Sequence, residues 1–203
     1  QQIFDGLKDE MLQADPVYPK LKREQSKDSH LLVIDPADIH IGKLATAFET
    51  GDAYDVKIAS DRVHEGVQGI LDKTSSFNID QILFIGGNDI LHTDNARRRT
   101  TSGTPQDTDG MWYENYLTAK DVIVEVLEKL ITVADVHYIH CPSNHDYVSG
   151  FFLSDVIKTW FHKNENITFD CSIAHRKYFR YGTNLIGATH GDGAKQNDLP
   201  LLM

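Results

Sequence analysis

Four apolar, strand-like segments of this chain are each followed by side chains that bind metal ions. They are 31–34 followed by Asp38 and His40, 82–87 by Asp89, 136–140 by Asn144 and His145, and 185–189 by His190. Ligands of α/β proteins bind at the carboxyl ends of the strands. Carboxylate, imidazole and amide donors without sulfur suit Mn, Fe, Zn or Mg in a hydrolytic site. The pattern therefore predicts a metal centre on an α/β fold.

Length and composition are those of a single globular domain. The chain has 203 residues, of which 40% are hydrophobic and 25% charged. It contains no apolar run of the roughly 20 residues that a membrane-spanning helix needs. We therefore predict a cytoplasmic protein without a membrane partner. Cys141 and Cys171 are expected to be buried, reduced thiols.

The net charge of −10 restricts the ways in which this chain can bind nucleic acid. A protein that binds nucleic acid through charge alone is expected to be basic. Two divalent ions would add about four positive charges locally, enough to attract a phosphate to an acidic protein. The charge balance disfavours passive DNA binding and remains compatible with a nuclease.

Strand and helix patterns alternate along the chain. Residues 1–30 are interpreted as a linker or the end of a preceding domain, and residues 31–203 as the domain itself. Strands are predicted at 31–35, 81–86, 136–141 and 167–169, a hairpin at 176–181 and 185–189, and helices at 55–73, 112–131 and 151–163. A polar loop at 92–110 is long enough to suggest a function. This order predicts an α/β sandwich of β-sheets flanked by helices that ends in a β meander.

The spacing of the first donors matches what a pair of metal ions requires. Asp38 and His40 lie two residues apart, so an extended segment would turn both towards one ion. Asp89 follows Gly86 and Gly87, whose missing side chains are interpreted as room for a ligand. A carboxylate placed there can bridge two ions about 3.5–4 Å apart. Taken singly, each of these residues is also typical of a turn or a loop.

The later donors complete the set. Asn144 offers a neutral amide oxygen, and His145 beside it is placed to protonate a leaving alkoxide. His190, at another strand end, can serve a second ion. The order of these donors, each after an apolar segment, is the strongest argument for a shared site.

The ordered set resembles the calcineurin-like metallophosphoesterase superfamily, whose blocks are Asp-x-His, Gly-Asp, Gly-Asn-His-(Asp/Glu), His and Gly-His-x-His. The matching residues are Asp38 with His40, Asp89 after the intervening Asn88, Asn144 with His145 after Ser143 in place of glycine, and His190. The segment 87–107 is similar to phage and prophage phosphoesterases described as DNA-repair-exonuclease-like. The resemblance covers about residues 31–192.

The resemblance implies two divalent metal ions, Mn²⁺ first and Fe, Zn or Mg as alternatives. It implies that Asp38, His40 and Asp89 hold one ion, and that Asp89, Asn144 and His190 hold the other. It also implies hydrolysis by a water molecule of lowered pKa, with His145 assisting the leaving oxygen. No Gly-His-x-His follows His190. We therefore expect a domain truncated at its C-terminus, or metal ions that are bound weakly.

Seven further side chains are weaker candidates. Arg97, Arg98 and Arg99 are interpreted either as contacts to a substrate phosphate or as a solvated charge run. His92 and Asp94 either line the site and contact substrate or are ordinary polar residues of a loop. Asp146 and Asp192 are candidates for orienting the metal ligands through hydrogen bonds, a turn being the alternative for Asp192.

The resemblance implies a phosphodiesterase, with a DNA nuclease as the leading version. One alternative is a phosphatase that acts on small phosphoesters or proteins. The other is a non-catalytic module that binds partners in DNA replication or recombination. The expected partner is nucleic acid or another phosphoester, and the family resemblance adds a homodimer as an option.

Overall fold

The computed structural model describes residues 18–23, 28–193, 195 and 197–198. The elements are β1 (His30–Ile34), α1 (Ala47–Thr50), α2 (Val56–Thr74), β2 (Ile79–Gly87), α3 (Trp112–Val133), β3 (Asp135–Cys141), α4 (Tyr147–Trp160), β4 (Ile167–Asp170), β5 (Lys177–Tyr181) and β6 (Asn184–Ala188). Most of the predicted linker, residues 1–17 and 24–27, lies outside the described residues. Among the described residues, every helix is too short or too polar to cross a membrane.

The first four strands form one parallel sheet in the order β1-β2-β3-β4. Because parallel neighbours need long crossovers, α2, α3 and α4 each lie between two strands that pair. The sequence pattern places the segment at 167–169 in a late meander. That prediction is wrong, because β4 pairs parallel with β3, with Ile167 opposite Val136. The carboxyl ends of β1, β2 and β3 consequently lie side by side at one edge.

The main core lies between the helices and one face of the sheet. Alternate strand residues point into it, among them Leu32, Ile34, Ile82, Phe84, Val136 and Tyr138. At the start of α2 the carboxylate of Asp55 accepts a hydrogen bond from Ile58 N at 2.7 Å and caps the helix. The predicted fold is thus confirmed as a mixed α/β arrangement with helices flanking a sheet.

A two-stranded hairpin covers part of the opposite face. β5 and β6 pair antiparallel from Lys177 opposite Ala188 to Tyr181 opposite Asn184, which confirms the predicted hairpin. Ala188 packs with the outward-facing side chains of the sheet, which are Leu83, Ile85, Ile139 and Cys141. Cys141 is buried, as expected, whereas Cys171 is only partly buried, and both thiols are free. The hairpin also carries the chain towards His190, beside the carboxyl edge of the sheet.

Helix α4 begins four residues before its predicted start at residue 151. The reason is a contact across 55 residues of chain, since Asp94 Oδ1 accepts from Ser149 N at 2.7 Å and from Val148 N at 2.9 Å. A side-chain carboxylate that satisfies the free N–H groups of a first turn extends a helix in the N-terminal direction. The capping residue comes from another loop, so the local pattern around residue 147 did not reveal it.

Two glycines end β2 where β3 approaches most closely. A Cβ on Gly86 would lie 2.2 Å from the hydroxyl oxygen of Tyr138, and one on Gly87 would lie 2.0 Å from the carbonyl oxygen of Cys141. Gly87 also has a φ of +83°, in the left-handed region that favours glycine. The interpretation that these glycines leave room for a ligand is therefore wrong. They leave room for the neighbouring strand.

Replacing Gly87 by alanine should destabilise the protein by about 2–5 kcal/mol, the sum of left-handed strain and overpacking. Gly69 on α2 offers a matched control, because a Cβ there would meet no atom within 4 Å. Gly69→Ala should raise stability by about 0.5–1 kcal/mol through helix propensity. Urea unfolding of both variants measures the two effects, and equal, small changes would contradict the close approach of β2 and β3.

Candidate metal centre

Backbone hydrogen bonds join the loop after β1 to the loop after β2. Asp38 N donates to Asn88 O at 2.8 Å, and His40 N donates to Asp89 O at 2.9 Å. The pairing of the two strands thus continues beyond the sheet. It fixes the register in which Asp38 and His40 stand next to Asp89.

Both loops use a backbone conformation that is rare for side-chain-bearing residues. The φ angles are 56° at Asp38, 50° at His40, 52° at Asn88 and 63° at Asp89. Each left-handed residue costs about 1–2 kcal/mol, so the conformation needs support from surrounding contacts. The expectation of an extended segment through Asp38 and His40 is wrong. The two side chains nevertheless meet, with His40 Nε2 3.6 Å from Asp38 Oδ1.

The carboxylate of Asp89, only 3% exposed, lies between two groups of donors. Its Oδ2 is 4.0 Å from His40 Nε2 and 3.4 Å from His190 Nε2. On the first side His40 adjoins Asp38, and on the second side His190 Nε2 lies 2.8 Å from Asn144 Oδ1. The structure therefore brings all five sequence-predicted ligands to one place.

Two further imidazoles, those of His145 and His92, adjoin this cluster. His145 N donates to Asp89 Oδ1 at 3.0 Å, and the ring nitrogen His145 Nδ1 lies 2.9 Å from His92 O. The rings of His92 and His40 meet through their Nδ1 atoms at 3.4 Å. Two groups have donor atoms mutually within 4.8 Å, namely Asp38, His40 and Asp89, and His40, His92 and His145. His92, predicted only as a weak substrate contact, is thus part of a possible donor group.

Burial keeps two of these imidazoles neutral. Burial first, and then the nearby His40 and His145, together lower the pKa of His92 to about 4. Burial is also the largest cause of the lowered pKa of His40, followed by His145, while Asp89 and Asp38 oppose it. A neutral imidazole has a lone pair to give to a metal ion. His40 and His92 therefore remain available as nitrogen donors at neutral pH.

Asp146 supports the backbone of Asp89 through an intermediate hydroxyl. Asp146 Oδ1 accepts from Ser143 Oγ at 2.5 Å, and Ser143 Oγ accepts from Asp89 N at 2.9 Å. Asp146 Oδ2 accepts from Leu91 N at 2.9 Å. Burial raises the pKa of Asp146 to about 6. Ser143 and Asp146 thus fix the backbone position of Asp89. Ser143 stands where the superfamily pattern has glycine.

The other weak candidates lie further from the cluster. Asp94 Oδ2 accepts from Thr101 Oγ1 at 2.9 Å, and its Oδ1 accepts from Ser149 N. Both carboxylate oxygens of Asp94 therefore already have hydrogen-bond partners within the protein. Arg97, Arg98 and Arg99 are exposed, and Arg99 Nη1 donates to Gly103 O at 2.7 Å. Within the described part of the chain, Asp192 is exposed and has no hydrogen bond to His190. Substrate contacts by Asp94 and the arginines, and support by Asp192, stay predictions.

Asp35 is a carboxylate at this edge that the sequence reasoning missed. Asn88 Nδ2 donates to Asp35 Oδ1 at 3.0 Å. Burial raises the pKa of Asp35, and the nearby Asp38 adds to the rise. Asn88 Oδ1 is buried without a hydrogen-bond partner among the described residues. The sequence places Asp35 directly after β1, which is the position expected for a ligand. The Asp38-x-His40 pair, three residues later, was chosen instead.

The donor set fits a hard or borderline divalent cation. Carboxylates, an amide oxygen and neutral imidazoles are the ligands that Mn, Fe, Zn and Mg accept in different proportions. The described residues thus contain His and Asp groups able to hold a metal ion, and they do not fix its type or number. The chain matches no protein-family model, no curated protein and no solved structure. Function must accordingly be argued from the site.

Acidification should destabilise the metal-free protein through His92. The pKa of His92 is about 4 in the folded protein against an ordinary 6.5, so the unfolded chain takes up this proton first. The stabilising contribution of His92 is complete above pH 6.5 and is lost as the pH falls towards 4, by at most about 3 kcal/mol. Urea unfolding in chelator at several pH values should show a smaller loss for His92→Asn than for wild type. Equal losses would contradict the buried, neutral state.

Proposed function

We propose that this chain is a metal-dependent phosphoesterase of the calcineurin-like type, with one divalent ion on each side of Asp89. The observation that carries the proposal is the position of Asp89 Oδ2, 4.0 Å from His40 Nε2 and 3.4 Å from His190 Nε2. A single carboxylate shared by two donor groups is what a two-metal hydrolase needs. Asp38 and His40 would complete one set, and Asn144 and His190 the other.

The electrostatics of the cluster support a bound cation. Asp89 and Asp146 are both almost fully buried and close enough to repel each other, and Asp38 lies within 4.8 Å of Asp89. Buried like charges are costly unless cations neutralise them. When bound, divalent ions supply charge neutralisation for a phosphate and a water molecule of lowered pKa. The chain contributes the spacing of the ligands and the exclusion of bulk water around Asp89.

His145 is the proposed proton donor to the leaving oxygen. Its Nδ1 lies 2.9 Å from the carbonyl oxygen of His92, which can only accept, so Nδ1 carries a proton. The other ring nitrogen, Nε2, is then the atom that can hold a second proton and deliver it to substrate. The bond from His145 N to Asp89 Oδ1 fixes this ring relative to the metal ligands.

The proposed substrate is a phosphodiester of nucleic acid. This version rests on the similarity of segment 87–107 to exonuclease-like phosphoesterases and on cations near the cluster, which include Lys43 in the loop after His40. Positive charge near the site would attract a phosphate locally, although the net charge of −10 repels nucleic acid from the protein as a whole. Cleavage of linear DNA supports the nuclease, and release from nitrophenyl phosphate alone supports a phosphatase. Cleavage of neither leaves a binding module.

Asp89→Asn should abolish tight binding of a metal pair. The neutral amide cannot replace a carboxylate shared between two cations, so calorimetry with Mn²⁺ should fall from about two ions per chain to one or none. Phosphodiesterase activity should fall at least about a hundredfold, as expected when charge stabilisation is removed. Asp121→Asn on the exposed side of α3 is the matched control and should behave as wild type. Unchanged stoichiometry in Asp89→Asn would refute the assignment.

His145→Asn should separate proton transfer from metal binding. Loss of a general acid lowers kcat by about 10²–10⁴-fold, whereas Mn²⁺ stoichiometry should persist because the five proposed ligands remain. The loss should shrink for a substrate with a nitrophenolate leaving group, which needs little protonation. A uniform loss on all leaving groups would contradict the role of His145.

A further inference from the structure

A polar cavity of about 320 Å³ opens directly beside two of the proposed metal ligands. Asp38 and His40 form part of its wall. The rest is lined by Lys43, Ala45, Thr50, Asp52, Ala53, Tyr54 and Arg62. The cavity thus combines the edge of the candidate metal centre with two cationic side chains, Lys43 and Arg62.

Tyr54 is fixed rigidly within this cavity. Its hydroxyl donates to the carbonyl oxygen of Ile39 at 2.5 Å, between Asp38 and His40. Its backbone N donates to Ala45 O at 2.9 Å, and its backbone O accepts from Ala45 N at 2.9 Å. Because a side-chain bond and two backbone bonds hold this residue, its ring has a defined position relative to the metal-binding loop.

Both cations of the cavity lie over that one ring. Lys43 Nζ is 5.7 Å and Arg62 Cζ 5.2 Å from the ring centroid of Tyr54. Cation–π attraction to the ring helps to hold each of the two cations at the wall of this cavity. Within the described residues neither Lys43 nor Arg62 forms a salt bridge, although Asp38 and Asp52 share the cavity. Asp38 Oδ1 lies 3.6 Å from His40 Nε2, so this carboxylate is directed to the imidazole.

We propose that Lys43 and Arg62, positioned by Tyr54, form a subsite for a second phosphate of the substrate, adjacent to the phosphoester that is cleaved. The location of the cleaved bond rests on the proposed function. An arginine fork and a lysine ammonium that line one cavity together suit a phosphate group bound in that cavity. A substrate with a second phosphate, whether the next nucleotide of a strand or a polyphosphate, gains this contact. A simple phosphomonoester lacks it.

Binding without metal tests the subsite independently of catalysis. A fluorescein-labelled oligothymidylate of about ten nucleotides is titrated in EDTA at several salt concentrations and followed by anisotropy. Each of Lys43→Gln and Arg62→Gln should weaken binding and reduce the slope of log K against log salt by about 0.7. Lys73→Gln, an exposed lysine on the same helix as Arg62, should keep the wild-type affinity and slope. Unchanged slopes in both variants, or no measurable wild-type binding, would overturn the proposal.

Turnover by the Mn²⁺-loaded protein distinguishes the possible sources of the second phosphate. The substrates are thymidine 5′-nitrophenyl phosphate, with one phosphate, an oligothymidylate, and a nucleoside diphosphate. Each variant should lose about tenfold more kcat/KM on a substrate with a second phosphate than on the single-phosphate ester. A selective loss on the oligothymidylate identifies a polynucleotide phosphate, and one on the diphosphate identifies a polyphosphate.

The two hypotheses fail in different ways. Equal losses on all substrates would overturn the subsite and leave the phosphoesterase intact. An inactive wild type whose metal-free binding still depends on Lys43 and Arg62 would overturn the phosphoesterase and retain the anion subsite. Circular dichroism melts of both variants, compared with wild type, confirm that the changes act on a folded protein.

Discussion

The parallel pairing of β1, β2 and β3 is the constraint on which the rest of the structure depends. Ile34 stands opposite Phe84, and Gly87 stands opposite Cys141. From there the backbone bonds from Asp38 to Asn88 and from Asn88 to the Cys141 carbonyl oxygen carry the pairing into the loops. A slip of one residue would turn every strand side chain to the opposite face. The apolar core therefore sets the register, and the register sets the distances among the metal-binding groups.

The candidate metal centre lowers the stability of the metal-free protein. Four non-glycine residues with positive φ and a nearly fully buried carboxylate are concentrated in the two loops that meet at Asp89. Each is tolerated because the helices and the sheet determine the position of both loop ends. A cation that binds the folded state alone would recover part of this cost and stabilise the protein by mass action. Metal binding and folding are consequently coupled in this account.

The sequence predicted features that depend on local pattern. The apolar runs at β1, β2 and β3, the helical period of α2 and α3 and the hairpin of β5 and β6 are visible within a few residues. The convergence of Asp38, His40, Asp89 and Asn144 also follows from the rule that parallel strands end at one edge. His190 comes from the separate antiparallel hairpin, so that rule does not account for its position.

Features made by distant contacts were not predictable in this way. The start of α4 depends on Asp94, and Gly87 is required by the carbonyl oxygen of Cys141. The left-handed turn at Asp38 is stabilised by a bond to Asn88, far along the chain. The grouping of Lys43 and Arg62 over Tyr54 likewise appears only once α2 is docked beside the loop after β1. A single sequence contains these residues without indicating that they meet.

The central claim is that Asp89 joins two metal sites. The most direct test is electron paramagnetic resonance of the protein loaded with Mn²⁺, because neighbouring ions interact magnetically whereas isolated ions do not. We expect an exchange-coupled pair, with two ions per chain about 3.5–4 Å apart. A spectrum of isolated Mn²⁺ under saturating metal would contradict it, since Asp89 would then serve one ion and the two-metal interpretation would fail.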